Sequence, residues 1–199
     1  PFISTLGMMT LLRGVILVYT KGSPIPIKSD AYKFFGKGSI AGIPVPVIIL
    51  IIVFLLAHYI LTQTSYGRSV YAVGGNREAA RLSGIRVKTS EFLVYTLNGL
   101  MCGMAGLILT ARLGSAQSTS GTGIEMDAIA AVILGGTSLS GGVGFVLPTV
   151  VGAMIMGIID NILTLMNVNP HATNIVKGAV ILIAVLVDKK VKDLSAKAE

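Results

Sequence analysis

Long apolar runs separated by short polar connectors extend along most of this 199-residue chain. A helix needs about 20 mostly apolar residues to cross the hydrocarbon core of a bilayer. The runs that meet or approach this length lie at residues 45–62, 92–111, 145–166 and 172–187. Residues 2–19 form a weaker run that Arg13 interrupts, and residues 126–139 form a short one. The pattern predicts an all-α fold, a polytopic membrane helical bundle of about six transmembrane helices.

The composition supports the membrane class. Hydrophobic residues make up 53% of the chain and charged residues 13%, and the mean hydropathy is +0.81. A soluble domain carries about twice that share of charge. The net charge of +7 does not indicate nucleic-acid binding, because the cations are divided among the connectors and form no single basic stripe.

Lysine and arginine accumulate in two segments, and this predicts the orientation in the membrane. The connector 64–91 carries five cations against two glutamates, and the tail after Val187 carries four lysines. Cytoplasmic loops carry such an excess, so both segments are expected inside the cell. Loops 112–125 and 167–171 are then expected outside. The lysines of loop 20–43 oppose this orientation, but the charge rule is statistical.

An even number of crossings must separate the two basic segments, so the short run 126–139 is expected to cross as well. It reads as a broken helix that ends at Gly135-Gly136. Non-helical backbone at membrane depth is tolerated only where protein or a water-filled cavity surrounds it. Residues 135–144 are therefore expected to line a cavity or an interface, and Gly135 and Gly136 are candidates for a translocation pathway.

The connector contains a short basic stretch, GGNREAARLSGIRVK, at residues 74–88. Asn76 is a suitable N-cap, Glu78 would lie near the positive end of a helix dipole, and Gly84 would end the helix. Ala79 and Leu82 are three residues apart and would share one face of this helix. Two interpretations remain open: an ordinary charged loop, or a helix that docks into another protein.

A family resemblance favours the second interpretation. Glu78-Ala79-Ala80 followed by Gly84 resembles the cytoplasmic coupling loop of ABC importer permeases. The stretches YAVGGNREAARLSGIRV, PFISTLGMMTLLRGVILVYTKGSPIP, IEMDAIAAVILGGTSLSGGVG and VKGAVILIAVLVD are similar to those of the ribose and related monosaccharide permeases. The likeness runs in order over nearly the whole chain. It implies a multi-pass subunit of the bacterial cytoplasmic (inner) membrane, in contact with membrane lipid.

The resemblance also implies partner proteins, each with its own role in transport. A periplasmic or extracellular sugar-binding protein would deliver a monosaccharide, a second permease copy would pair with the first, and a cytoplasmic ABC ATPase would drive transport. The residues expected to dock the ATPase are Asn76, Glu78, Ala79, Ala80, Arg81, Leu82 and Gly84. Family members also have an N-terminal half, so residues 1–199 are expected to be the C-terminal part of an importer transmembrane domain.

No cofactor is expected on this chain, because the ATP would bind to the partner subunit. The sequence contains no G-x-x-x-x-G-K-[ST] phosphate loop. An alternative within the same architecture is a branched-chain amino acid permease, which would need a charged site for its zwitterionic substrate.

Ionisable residues inside a membrane span are costly, so each needs a partner or a function. Asp160 lies six residues before the expected outer end of its helix, and Lys177 lies five residues into the next one. A hairpin would place both about 8–9 Å below that end, at 1.5 Å per residue. We expect a structural ion pair between them, and a contact with the sugar is the alternative.

The remaining polar residues give weaker indications. Asn98 and Asn161 have the donors and acceptors that a sugar needs, and they would equally hydrogen-bond neighbouring helices. Glu125 and Asp127 are close in sequence, but no base, nucleophile and orienting group converge near them. No metal site and no enzymatic activity are expected.

Overall fold

A computed structural model describes residues 2–195 of the chain, which are almost entirely helical outside the turns and loops. The described helices are α1 (Phe2–Thr20), α2 (Asp30–Lys37), α3 (Val45–Gln63), α4 (Ser65–Gly75), α5 (Arg77–Leu82), α6 (Val87–Leu113), α7 (Ile124–Leu134), α8 (Val146–Leu165) and α9 (Pro170–Ser195). The described strands are β1 (Ile25–Pro26), β2 (Ser39–Ile40), β3 (Ile43–Pro44) and β4 (Ser115–Ala116). Lys197 of the basic tail lies outside the described residues.

The helix lengths fit the membrane bundle that the sequence predicts. Within residues 2–195, α1, α3, α6 and α8 are long and apolar enough to cross a bilayer. Helix α9 adds a shorter apolar stretch, Ala172–Leu186. The prediction of an all-α membrane bundle is confirmed.

The short apolar run forms a short helix that ends at the glycine doublet Gly135-Gly136, as the sequence predicts. Helix α7 has 11 residues and ends at Leu134, five residues earlier than the apolar run does. At 1.5 Å per residue it is roughly 16 Å long, about half the thickness of a hydrocarbon core. Gly135 caps it, and Gly136 has a φ of +74°, which a residue with a side chain rarely adopts. The glycine doublet therefore ends the helix, although the apolar run continues to residue 139.

The described chain forms two compact units. The first comprises Pro1–Ile52 and Thr96–Thr122, and the second comprises Val53–Tyr95 and Gly123–Glu199.

In the first unit, the two connectors that are expected outside the membrane meet. Strand β1 pairs antiparallel with β4, with Ile25 opposite Ala116. The pairing continues through Ile27, whose backbone N–H donates to the carbonyl of Gly114 at 3.0 Å. Two connectors can pair in this way only if they lie on the same side of the bilayer, as the expected orientation requires.

Helix α2 packs on the end of α6 in the same unit. The hydroxyls of Tyr32 and Thr110 lie 2.8 Å apart. Gly36 is required here because a Cβ atom would collide with the backbone of Ala111 and Arg112. The β2–β3 hairpin then leads into α3. The sequence analysis predicted neither α2 nor the strands.

In the second unit, α7 packs against α8 and α9. Ala130, Ala131 and Met156 form a buried cluster on which Ile159, Val180 and Ile181 pack. Gly152 of α8 allows the close approach, because a Cβ atom there would collide with the carbonyl oxygen of Ala131. Small residues permit helices to approach closely in this way, which is how membrane helices commonly associate.

Candidate coupling site

Helix α4 begins where the chain leaves α3. The hydroxyl of Thr64 accepts a hydrogen bond from the backbone N–H of Gly67 at 3.2 Å and so caps α4. A Cβ atom on Gly67 would collide with the carbonyl of Leu61, so glycine permits the tight turn between the two helices. Burial raises the pKa of the Tyr66 hydroxyl above its ordinary value.

Helix α5 is the short helix that the sequence predicts, with the expected cap and end. The side-chain oxygen of Asn76 accepts hydrogen bonds from the N–H groups of Glu78 at 3.1 Å and Ala79 at 3.0 Å. These satisfy two of the donors that a helix start leaves unpaired. Gly84, with a φ of +82°, terminates the helix, and the next N–H, of Ile85, donates back to the carbonyl of Ala80 at 3.1 Å.

The outer face of α5 combines one apolar side chain with two charges. Leu82 is 78% exposed, and Ala79 beside it is exposed as well. Glu78 and Arg81 form an ion pair at 3.0 Å on the surface of the same helix. Among the described residues, Leu82 is not packed into a hydrophobic core. This face has the form of a small apolar knob with a charged rim.

Ala80 differs from the other residues expected to dock a partner. It is only 4% exposed, so its side chain packs against the protein and presents no surface. Its position explains why a small residue lies there, since it lets α5 sit close to its neighbours. The structure therefore narrows the exposed set to Asn76, Glu78, Ala79, Arg81, Leu82 and Gly84.

Helix α5 is tied at its start to α6, in the same unit. The guanidinium group of Arg77 donates to the carboxylate of Glu91 at 3.0 Å, which links the start of α5 to the start of α6. After α5 the chain reaches buried positions again at Val87 and Ser90, in the first turn of α6. The exposed face of α5 therefore lies between two points at which this segment contacts the rest of the unit.

A contact that the sequence does not predict joins this region to the loop that follows α7. The hydroxyl of Tyr71 donates to the carbonyl of Gly144 at 2.8 Å. Gly74 of α4 lies against Gly141 and Gly142. The sequence does contain a signal, since glycine doublets occur at both places, but glycine doublets also occur in ordinary turns. Both segments are expected on the cytoplasmic side, and the contact agrees with that.

A cluster of three charged side chains joins α7, α8 and α9. The ammonium group of Lys177 donates to Asp127 at 2.7 Å. Asp160 Oδ1 lies 2.9 Å from the same nitrogen, close enough for an ion pair but without the alignment of a hydrogen bond. The structure thus brings together Asp160 and Lys177, and it adds Asp127, which the sequence analysis did not link to them. Lys177 is 18% exposed and Asp127 22%, so this charge cluster is largely shielded.

The remaining residues expected in a pathway are placed separately. Asn98 on α6 belongs to the first unit and Asn161 on α8 to the second, and both side chains are exposed. Gly135 is buried against the backbone of Thr149, whereas Gly136 is exposed. Among the described residues, no three His, Cys, Asp or Glu side chains are grouped so as to hold a metal ion.

Comparison with known proteins identifies the family. Residues 1–185 match a family model described as the permease component of branched-chain amino acid transport systems. The chain belongs to this permease family. The ribose import permease protein RbsC of Escherichia coli K12 is 53% identical over 193 residues, which is 95% of this chain and 60% of that protein. The family and this relative are described as transport permeases and not as enzymes.

Other relatives of the permease carry sugar names as well. The ribose import permease protein RbsC of Bacillus subtilis is 50% identical over 96% of this chain. The xylose transport system permease protein XylH of E. coli K12 is 48% identical over 76% of this chain and 38% of its own length. The permease chain therefore spans about 60% of the length of the ribose permeases that it matches. No solved structure matches it.

Proposed function

We propose that this chain forms part of the permease subunit of an ATP-driven importer that moves ribose or a related monosaccharide across the bacterial cytoplasmic membrane. The similarity to ribose permeases, at 53% and 50% identity over nearly the whole chain, carries the choice of substrate. The xylose permease supports the broader class of monosaccharides.

The proposed coupling element is the exposed face of α5. Energy for import would come from a cytoplasmic ABC ATPase, which binds the ATP itself. An apolar residue that is 78% exposed at the tip of a capped helix is suited to insertion into a groove on a partner. The pair of Glu78 and Arg81 would remain at the rim, where charges set orientation more than affinity.

The other proposed partners follow from the same transport cycle. A sugar-binding protein outside the membrane would deliver the monosaccharide, and a second permease copy would complete the pathway. The paired connectors of the first unit, β1 with β4, form an ordered surface on the proposed outer side. Asn98, Asn161, Gly135 and Gly136 remain candidates for the pathway, where hydrogen bonds to hydroxyl groups would guide a neutral sugar.

Branched-chain amino acids are the second candidate substrates, because the matching family model is described by them. A zwitterionic amino acid needs charged partners for its ammonium and carboxylate groups. The three charges of Lys177, Asp127 and Asp160 already contact one another, which favours a neutral substrate.

Reconstitution of the native transporter in liposomes tests this proposal. With its ATPase, its binding protein and internal ATP present, we expect uptake of radiolabelled ribose or xylose that depends on all three. Labelled leucine, offered with a leucine-binding protein, should not accumulate above the level without ATP. Uptake of leucine and not of a pentose would establish the second candidate and contradict the first.

A further inference from the structure

Two glycine doublets bring the coupling region into direct backbone contact with the loop between α7 and α8. Gly74 and Gly75 end α4, and Gly141 and Gly142 lie in that loop. A Cβ atom on Gly74 would lie 2.9 Å from the backbone nitrogen of Gly142. One on Gly142 would lie 2.9 Å from Gly75 Cα. Atoms that are not bonded to each other do not pack that closely, so Gly74, Gly141 and Gly142 form a glycine seam with no side chain between the two backbones.

The seam resists closer approach of the two backbones. No side chain lies between them that could absorb a displacement by changing rotamer. The hydrogen bond from Tyr71 to the carbonyl of Gly144 joins the same two segments, so it would pass on a displacement in the opposite direction. Movement of the end of α4 is therefore expected to displace the loop.

The loop in turn is tied to α7 and α8. Its own turn is closed by the N–H of Ser138, which donates to the carbonyl of Val143 at 2.9 Å. Gly135, at its start, lies directly against the backbone of Thr149 in α8. The loop therefore does not move alone, and α7 and α8 are connected to it by close contacts at its first residues.

We infer that the glycine seam transmits movement of α5 and α4 to the short helix α7, with Gly74 as the positioning residue. The inference rests on the proposed function, since it requires a motor that moves α5. Docking of the ATPase and transmission of its movement are then performed by different residues. The knob at Leu82 binds the ATPase. The seam passes the displacement to α7, which carries Asp127 of the charge cluster.

Gly74, in the seam, and Gly75, beside it, provide a matched pair of variants. Gly74 and Gly75 both end α4 and neither has a positive φ, so alanine suits the helix at both positions. At Gly74 the new Cβ atom would push on the backbone of Gly142. At Gly75 its nearest neighbour would be Gly142 Cα at 3.8 Å, an ordinary contact. The two variants differ only in whether they open the seam.

The experiment measures monosaccharide uptake per ATP hydrolysed in the reconstituted native transporter. We expect Gly74→Ala to lower this ratio about tenfold, in the range by which residues between two coupled sites change their coupling. Gly75→Ala should keep the ratio within about twofold of the native value. Both variants should retain the ATPase through purification, because the docking face of α5 is unchanged.

Equal ratios for Gly74→Ala and Gly75→Ala would overturn the inference, and so would loss of the ATPase from Gly74→Ala alone. If Gly74→Ala does not accumulate in the membrane, the same uptake per ATP hydrolysed is measured for Tyr71→Phe. This variant removes the hydrogen bond to Gly144 and adds no bulk. A ratio about threefold below native supports the seam, and a native ratio overturns it. A native transporter that takes up no monosaccharide would instead refute the proposed function itself.

Discussion

Replacing Leu82 by glutamate is expected to abolish association with the ATPase while the permease still inserts into the membrane. Burial of a leucine side chain at an interface stabilises it by about 1.5–3 kcal/mol. Glutamate loses this contribution, and it would place a charge in an apolar groove, which costs more. The dissociation constant should therefore rise by at least about a hundredfold, which corresponds to roughly 3 kcal/mol. Leu82 is 78% exposed, so its replacement leaves the packing of the permease itself intact.

Two controls separate this effect from charge and from helix disruption. Leu82→Met keeps the apolar volume and should bind the ATPase nearly as well as the native protein. Thr89→Glu places the same charge on an exposed position in the first turn of α6, away from the knob. The ATPase that co-purifies with detergent-solubilised permease is the quantity measured. If Leu82→Glu retained as much ATPase as Thr89→Glu, the docking face would lie elsewhere.

The second large effect is expected at Lys177, whose ammonium group contacts two aspartates. Lys177→Met would leave Asp127 and Asp160 facing each other without a cation. Removing one partner of a buried ion pair typically destabilises a protein by about 3–5 kcal/mol, because the remaining charge is uncompensated. In the native permease the three helices α7, α8 and α9 are joined at this point. We expect the thermal midpoint in detergent to fall by about 10 °C.

The aspartates should behave differently when they are replaced singly. Asp160→Asn leaves Lys177 hydrogen-bonded to Asp127 at 2.7 Å, and Asp160 is itself 39% exposed, so the cost should be about 1 kcal/mol or less. Combining Lys177→Met with Asp127→Asn and Asp160→Asn removes all three charges and should recover much of the lost stability. An equal fall in thermal midpoint for Lys177→Met and Asp160→Asn would show that the lysine does not hold the cluster together.

The features predicted correctly from the sequence are those that neighbouring residues decide. The cap at Asn76 and the end at Gly84 depend on local hydrogen bonds and backbone angles, which residue type indicates directly. The apolar runs predicted the long apolar helices because the length and composition of a run are enough to identify a helix that could cross a membrane. Asp160 and Lys177 could be paired because they lie at equal depth on two helices joined by a short turn.

Several of the features that were missed depend on residues far apart in sequence. Asp127 is 50 residues from Lys177, and no periodicity indicates that α7 would bring it there. The inward side of α5 could not be assigned either, because six residues show too little periodicity to tell that Ala80 is buried. The glycine seam joins positions 74 and 142, and a glycine doublet shows only that backbone conformation is unusual, not what approaches it.

The account depends most on α5 lying on the cytoplasmic side, within reach of a motor. Leu82→Cys, in a chain whose natural thiol is removed by Cys102→Ala, reports this through a maleimide that cannot cross membranes. Thr119→Cys, in the connector expected outside, serves as the opposite control. We predict that in intact spheroplasts only Cys at position 119 is labelled, and that inside-out vesicles label only Cys at position 82, with protection when the ATPase is added. Labelling of position 82 from outside intact spheroplasts would contradict the account.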